Sequence, residues 1–136
     1  MEIRATDLTR RHGALAKRAE RMAARAASAA GSPEAGMDIF LVGAARMRSL
    51  NKTHRGKDTG TNVLSFSYAL PVPHPEYGKA YRGEVYLCPS HIKAHKEDFD
   101  RMTVHGALHL LGYDHETKAD AKRMERLEEH VLRVHN

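Results

Sequence analysis

The chain has 136 residues, and its 22 lysines and arginines exceed its 17 acidic residues, which gives a net charge of +5. This length predicts one domain spanning residues 1–136, large enough to bury a core without disulfides. The single cysteine, Cys88, excludes a disulfide framework and a cysteine-rich zinc ribbon, and it fits a reducing cytoplasm. The apolar runs are too short to span a membrane. The basic balance favours an anionic partner, with nucleic acid first.

The N-terminal segment predicts a strand followed by a long helix. Residues 1–7 alternate weakly between apolar and polar, as in a short strand. From Leu8 to about Ala30, leucine, methionine and alanine recur on one helical face, and the turn formers at 31–33 end the helix. The Arg- and Ala-rich composition resembles a transit peptide, but Glu20 and the preceding strand favour a native helix.

The rest of the chain alternates between strand and helix signals. The predicted strands lie at 37–43, 61–68 and 84–89, with a short helix at 44–54 and an irregular proline-rich loop at 69–80. The remaining helices are predicted from a Ser90 cap to about Phe99, from Asp100 or Thr103 through a histidine motif, and from Thr117 to Val134. The expected fold class is α+β, with an approximately four-stranded mixed sheet packed with four to five helices and a metal site on a helix-turn in the C-terminal third.

The histidine motif reads HGALHLLGYDH at residues 105–115. Residues four apart on a helix share a face, so His105 and His109 can reach one ion. If the helix continued, His115 would point roughly 80° away from His109 and lie about 9 Å along the axis. Gly112 can end the helix, because glycine enters the left-handed region cheaply, and the turn then returns His115 to the other two. Three neutral imidazoles with an open fourth position are typical of a catalytic zinc site, although nickel, copper and cobalt also bind imidazole.

The alternative is that the histidines simply pack in a core, where nothing would satisfy three imidazoles as well as a metal does. Composition alone predicts roughly one i, i+4 histidine pair in such a chain. A second pair, His91 and His95, has no third partner nearby and is predicted to lie on a solvated helix face. Asp114 has two equal interpretations: it holds the ring N–H of His115 or His109, or it is a turn residue.

The spacing H-x-x-x-H-x-x-G-x-x-H resembles the zinc signature of the metzincin proteases. Those enzymes carry a glutamate directly after the first histidine, as the general base. Here Gly106 occupies that position, which disfavours a protease of that mechanism. A peptidase would need a glutamate from elsewhere, and Glu84 and Glu116 are the local candidates.

Residues 104–116 resemble, almost position for position, the signature of the YbeY family of bacterial rRNA-maturation endoribonucleases. Residues 49–66 and 83–89 resemble two further stretches of that family in the same order. The resemblance implies a cytoplasmic α+β metalloprotein that cleaves single-stranded RNA, matures small-subunit ribosomal RNA and takes part in ribosome quality control. It also implies one zinc ion per chain on His105, His109 and His115, and a functionally required arginine at Arg55.

Three positions depart from the family pattern. His54 stands where an aromatic residue is usual, and Asn62 and Glu84 replace aspartates. These departures concern the substrate groove rather than the metal site. Tyr81 and Tyr86 could stack on bases, although a tyrosine in or beside a strand is more often packing.

The expected mechanism combines a metal with a cation. Zinc lowers the pKa of bound water, so either that water or an RNA 2′-hydroxyl is the nucleophile. The planar guanidinium of Arg55 matches phosphate oxygens and would stabilise the growing charge. Without the family resemblance, Arg55 would be interpreted as one more surface arginine.

Two other functions stay open at this point. The first is a metal-dependent hydrolase of another substrate, such as a peptide. The second is a non-catalytic ribosome-assembly factor with a structural zinc. The fourth ligand distinguishes a catalytic zinc site from a structural one, because a structural site should close with another histidine, cysteine or carboxylate.

Overall fold

The computed structural model describes residues 2–67 and 81–135, which form an α+β fold of four strands and five helices. The predicted fold class is therefore confirmed. In chain order the elements are β1 (Ile3–Asp7), α1 (Gly13–Ala29), β2 (Gly36–Leu41), α2 (Ala44–Arg55), β3 (Val63–Ser67), β4 (Tyr81–Leu87), α3 (Pro89–Ala94), α4 (Phe99–Leu110) and α5 (Lys118–His135).

The sheet is mixed, with the strand order β1-β2-β4-β3. The first three strands in this order are parallel, and β3 runs antiparallel to β4 along one edge. Alternate residues of a strand point to opposite faces, so each strand serves two layers. On β3, Val63 packs against the larger core while Leu64 belongs to a second cluster on the other face.

Helices α1 and α4 cover one face of the sheet, α5 packs on these two helices, and the three helices form the main core with the sheet. The smaller cluster on the opposite face is built around Met47 of α2, and it contains Val42, Leu64 and Cys88. Cys88 is only 1% exposed, as expected of a small buried hydrophobe. Among the described residues, no helix is both long and apolar enough to cross a membrane.

The strands and the longer helices lie close to their predicted positions, and α2, α4 and α5 begin within one residue of the predicted starts. The starts of α1 and α3 differ from the prediction. Helix α1 begins at Gly13 rather than at Leu8, because the Asp7 carboxylate accepts hydrogen bonds from the backbone N–H groups of Thr9 and His12 and holds a turn there. The predicted Ser90 cap is wrong, since Ser90 lies inside α3.

The boundary between helices α3 and α4 also differs from the prediction. Helix α3 ends at Ala94 instead of near Phe99, which leaves Asp98 free to cap α4 by accepting from the backbone N–H of Asp100 at 3.0 Å. The proline-rich loop predicted at 69–80 lies outside the described residues.

Candidate metal and RNA site

Helix α4 carries the first two histidines and lies directly on the sheet. Its contact point is Gly106, where an added Cβ would come within 2.8 Å of Val85 Cγ1 and 3.0 Å of Val63 Cγ2. The Ser65 hydroxyl also donates to the Gly106 carbonyl at 3.0 Å. Position 106 therefore faces the strands, and it has no room for the glutamate that a metzincin carries there.

The helix ends at Gly112, as the sequence predicted. Gly112 has a φ of +98°, and its N–H bonds to the carbonyl of His109 at 3.1 Å. The N–H of Tyr113 reaches back to the carbonyl of Leu108 at 3.0 Å. These two bonds are a Schellman motif, which needs a left-handed residue at this position. The turn then brings His115 beside the two helical histidines.

The three imidazoles of His105, His109 and His115 converge on one point. One ring nitrogen from each lies within 4.8 Å of the others. The Nε2 atoms of His105 and His109 are 3.1 Å apart. The first two rings are half-buried and His115 is exposed, so the cluster has one side open to solvent.

Glu128 of α5 supports this cluster, and the sequence reasoning missed it. Its Oε2 accepts a hydrogen bond from Nδ1 of His105 at 2.6 Å, and its Oε1 accepts from Arg101 Nη1 at 3.1 Å. The Glu128 residue is only 6% exposed. A signal was available, because Glu128 falls between Met124 and Val131 on the predicted apolar face of α5, where an unpaired carboxylate would be costly.

Asp114 does not hold either histidine in this structure. Its Oδ1 accepts the backbone N–H of Glu116 at 3.3 Å, so the turn interpretation is the one supported. The carboxylate that holds a ring N–H comes instead from α5, which is adjacent to α4 only in the folded chain.

The ring nitrogens of His105 and His109 fit a bound cation. Because Nδ1 of His105 donates to Glu128, its Nε2 presents a lone pair in the neutral ring. The pKa of His109 is lowered by burial and by His105 and His115, which favours the neutral form, although a hydrogen bond to the backbone of Tyr113 partly opposes this shift. We assign that bond to Nδ1, since Nε2 faces His105.

The Nε2 atoms of His105 and His109 face each other at 3.1 Å. Two ligands of a tetrahedral zinc ion are separated by about 3.3 Å, given zinc–nitrogen bonds of about 2.0 to 2.1 Å, so the two atoms are already close to the spacing that zinc needs. The donor set therefore suits zinc. Within residues 2–67 and 81–135, the metal-capable cluster at this place consists of the three histidines alone, so the described part of the chain provides no fourth ligand to close it.

Arg55 lies on the same cleft as the histidines. It is an exposed residue at the end of α2, next to Gly56, whose φ of +69° ends the helix. The cleft has a volume of about 320 Å³. Its walls are formed by residues from α2, β3, α4 and the following turn: Arg55, Asn62, Val63, Ser65, Ser67, His105, His109 and His115. The fold thus brings together all four predicted site residues.

The positions that depart from the family pattern have clear structural roles. The ring of His54 packs against Phe66 with centroids 4.8 Å apart, which is how an aromatic residue would pack there. Asn62 lines the cleft, and its Nδ2 donates to both carboxylate oxygens of Glu97 at 3.1 Å. Glu84 accepts from the Tyr86 hydroxyl at 3.2 Å on the face that holds the α2 cluster, away from the histidines.

Tyr81 and Tyr86, the two tyrosines considered for base stacking, are packing residues. Tyr81 is buried, with its hydroxyl 3.0 Å from Asp38 Oδ2. Tyr86 stacks on Phe40 with centroids 5.2 Å apart. Burial, together with Glu84, raises the pKa of Tyr86 to about 12. Neither residue is among those that line the histidine cleft.

Comparison with known proteins identifies one family. The family model described as Endoribonuclease YbeY matches residues 2–136. The protein of that name from Anaeromyxobacter sp. (strain Fw109-5) is 38% identical over 98% of this chain and 72% of its own length. Its namesake from Stenotrophomonas maltophilia (strain K279a) is 40% identical over 73% of this chain and 67% of its own.

A solved structure supports the fold alone. The solution structure of a Thermotoga maritima protein covers 95% of this chain and 88% of its own, with a TM-score of 0.56 and 24% identity. The likeness therefore extends over nearly the whole α+β fold.

Proposed function

Because this chain belongs to the YbeY family of endoribonucleases, we propose that it is a zinc-dependent endoribonuclease that cuts single-stranded RNA. Its biological substrate is ribosomal RNA, in maturation of the small subunit and in ribosome quality control. The observation that carries the proposal is the cleft in which Arg55 shares the walls with three convergent imidazoles.

The three histidines hold the metal in this proposal, and Glu128 orients one of them. Glu128 accepts the Nδ1 proton of His105 and so directs the Nε2 lone pair into the cleft. Arg101 donates a hydrogen bond to the other oxygen of the Glu128 carboxylate, so Glu128 and His105 are already oriented before substrate binds. When bound, the zinc ion supplies a Lewis acid that polarises a phosphoryl oxygen and activates a nucleophile.

Arg55 binds the scissile phosphate. Attack on a phosphodiester places more negative charge on the phosphoryl oxygens, and a guanidinium can meet two of them with parallel N–H bonds. Its position at the end of a helix, beside a glycine, leaves the side chain exposed to the cleft. Ser67 and Asn62 add polar groups to the same wall, where sugar and phosphate oxygens would lie.

The alternative functions lose support from the geometry. A peptidase needs a carboxylate near the metal as general base, but position 106 faces the sheet and Glu84 lies on its opposite face. Of the candidate bases, only the exposed Glu116 lies beside the histidines. A structural zinc site needs a fourth ligand, and within the described residues the cluster has three members. An open position is what a phosphodiester or a water molecule requires.

The test joins metal content with activity. The protein is purified without added metal, its bound metals are quantified, and it is assayed on single-stranded RNA and on a generic peptide pool. We expect about one zinc per chain and cleavage of RNA only. RNA left intact by the zinc-loaded protein would overturn the proposal.

Arg55→Ala tests the phosphate contact. We expect kcat to fall about 100- to 1,000-fold, as for removal of one donor to transition-state charge, with metal content unchanged. Arg55→Lys should recover only part of the activity, because an ammonium lacks the fork geometry. Arg46→Ala is the matched control on the same helix, outside the cleft. Equal activity of Arg55→Ala and the control would exclude the assigned role.

A further inference from the structure

A basic surface lies away from the histidine cleft, along α5 and the part of α1 beside it. A hollow of about 570 Å³ lies between α1 and α5, and a second of about 510 Å³ lies between α5 and Tyr113. The two hollows share His130, and together they are called the α1–α5 groove. Each is larger than the cleft beside the histidines, at about 320 Å³. The groove is lined by small or apolar side chains and by six basic ones. The basic lining residues are Arg21, Arg25, Lys122, Arg123, Arg126 and His130.

In the part of the chain that the structure describes, no carboxylate is among the residues that line this groove. The one acidic residue of α1, Glu20, points to β1, where its Oε2 accepts the backbone N–H of Ala5 at 2.9 Å. Among the described residues, no carboxylate pairs with Arg21, Arg25 or Arg126.

The acidic residues of α5 lie elsewhere. Lys122, Arg126 and His130 are spaced four residues apart and so share one flank of the helix. Glu125 and Glu129 are exposed on the neighbouring flank and do not line the groove. Arg123 has a partner, Asp120, at 3.8 Å, but this pair is largely solvated and weak.

One end of the groove reaches the candidate active site. Tyr113 lines the groove together with Arg123 and Arg126. The same residue belongs to the turn between Gly112 and His115, which positions the third imidazole. A strand that leaves the cleft past His115 therefore reaches Tyr113, where Asp114 and Asp120 line a small hollow beside Arg123, and then the basic residues of α5.

We propose that the α1–α5 groove binds the phosphodiester backbone of the RNA outside the segment that is cut. The choice of RNA rests on the proposed function. The chemistry is charge complementarity, since unpaired arginines on a rim bind phosphates and release counterions regardless of base sequence. The groove would thus favour long substrates over short ones without adding sequence preference.

The test measures binding separately from cleavage. The probe is a fluorescein-labelled single-stranded RNA with 2′-O-methyl groups and phosphorothioate linkages, which resists cutting. It is used at two lengths, one that fills only the cleft and one several times longer. Anisotropy titrations over a range of salt concentrations give Kd and its salt slope for the metal-loaded wild type and each variant.

The first variant is the double charge reversal Arg21→Glu with Arg25→Glu. We expect Kd for the long RNA to rise about tenfold or more, and the salt slope to fall by about 1.4, at about 0.7 for each phosphate contact with a single strand. The short RNA should be almost unaffected. With cleavable long RNA, KM should rise while kcat stays the same.

The matched control is Arg46→Glu with Lys93→Glu, which makes the same change in net charge at exposed positions outside the groove. Equal losses in the control and the groove variant would overturn the proposal, because the effect would then be total charge. Unchanged RNA binding in the groove variant would also overturn it and leave the surface to another ligand, such as an acidic protein.

A second variant, Arg126→Glu, tests the other wall of the groove. It provides an independent test if the double variant does not fold. It should reduce the salt slope by about 0.7. The two proposals can fail separately. If the wild type binds the analogue through the groove but cuts no RNA, only the proposed nuclease function is wrong. If the wild type cuts RNA and the groove variants bind the analogue normally, only the proposed role of the groove is wrong.

Discussion

Two histidine pairs with the same i, i+4 spacing have different surroundings in this molecule. His105 and His109 lie half-buried on α4, with their Nε2 atoms 3.1 Å apart and His115 beside them. His91 on α3 and His95, which directly follows that helix, stack with centroids 4.0 Å apart, and Nδ1 of His95 bonds to the backbone carbonyl of His91 at 2.9 Å. Spacing alone therefore does not make a metal site.

The difference comes from what each helix packs against. Helix α4 lies between the sheet and α5, which provides Glu128 for one ring. Helix α3 is a short helix with a mostly exposed outer surface. A pair of imidazoles becomes a candidate ligand set when a third ring and a supporting carboxylate reach it from elsewhere in the fold.

The largest expected effect follows from removing one histidine of each pair. His109→Ala should lose bound zinc and RNA cleavage. The loss in each should exceed about 100-fold, which is the most that removal of a residue supporting a ligand typically costs. His95→Ala, the matched change in the other pair, should keep both. Metal analysis and RNA assays of the two purified variants check this, and equal losses in both would show that the pairs do not differ.

The next effect concerns Glu128, the group that most clearly separates the two pairs. Glu128→Ala should weaken zinc binding about 10- to 100-fold, because His105 loses the acceptor that orients its ring. Glu128→Gln should recover part of the affinity, since an amide oxygen can still accept the Nδ1 proton. Competition with a chromogenic chelator measures the affinity independently of cleavage.

Glu129→Ala is the control for that change, since Glu129 is the exposed neighbour on the same helix. Its zinc affinity should equal that of the wild type. If Glu128→Ala also bound zinc normally, the positioning role assigned to Glu128 would be wrong.

A smaller effect is expected from Gly106→Ala, which tests how α4 is seated. The new Cβ would meet Val85 and Val63 at 2.8 and 3.0 Å. The helix must shift from the strands, so we expect a loss of about 1 to 3 kcal/mol in the free energy of unfolding, measured by urea denaturation. Gly13→Ala is the control, because nothing lies within 4 Å of its added Cβ and the position is helical. A stable Gly106→Ala would mean that α4 is not held as closely as described.

The sequence predicted the class of the fold and the local geometry of the motif. The apolar periodicities located the strands and long helices, because burial on one face imposes a period of two or of 3.6 residues. Gly112 predicted the helix end for a local reason as well, since the Schellman motif requires a left-handed residue. The start of α1 and the boundary between α3 and α4 were predicted less well, and Asp7 and Asp98 decided them through local hydrogen bonds.

Contacts between distant residues were decided only by the tertiary structure. The carboxylate that supports His105 is 23 positions away on another helix. By sequence, holding a histidine and serving the turn were equal interpretations of Asp114, and in the structure it serves the turn. Arg55 has no local mark that separates it from other surface arginines, and its place on the cleft follows from where α2 ends beside β3. Likewise, the basic groove exists because α1 and α5 pack side by side. Local chain geometry can be determined by a few neighbouring residues, whereas a site is assembled by the packing of elements that the chain order does not place together.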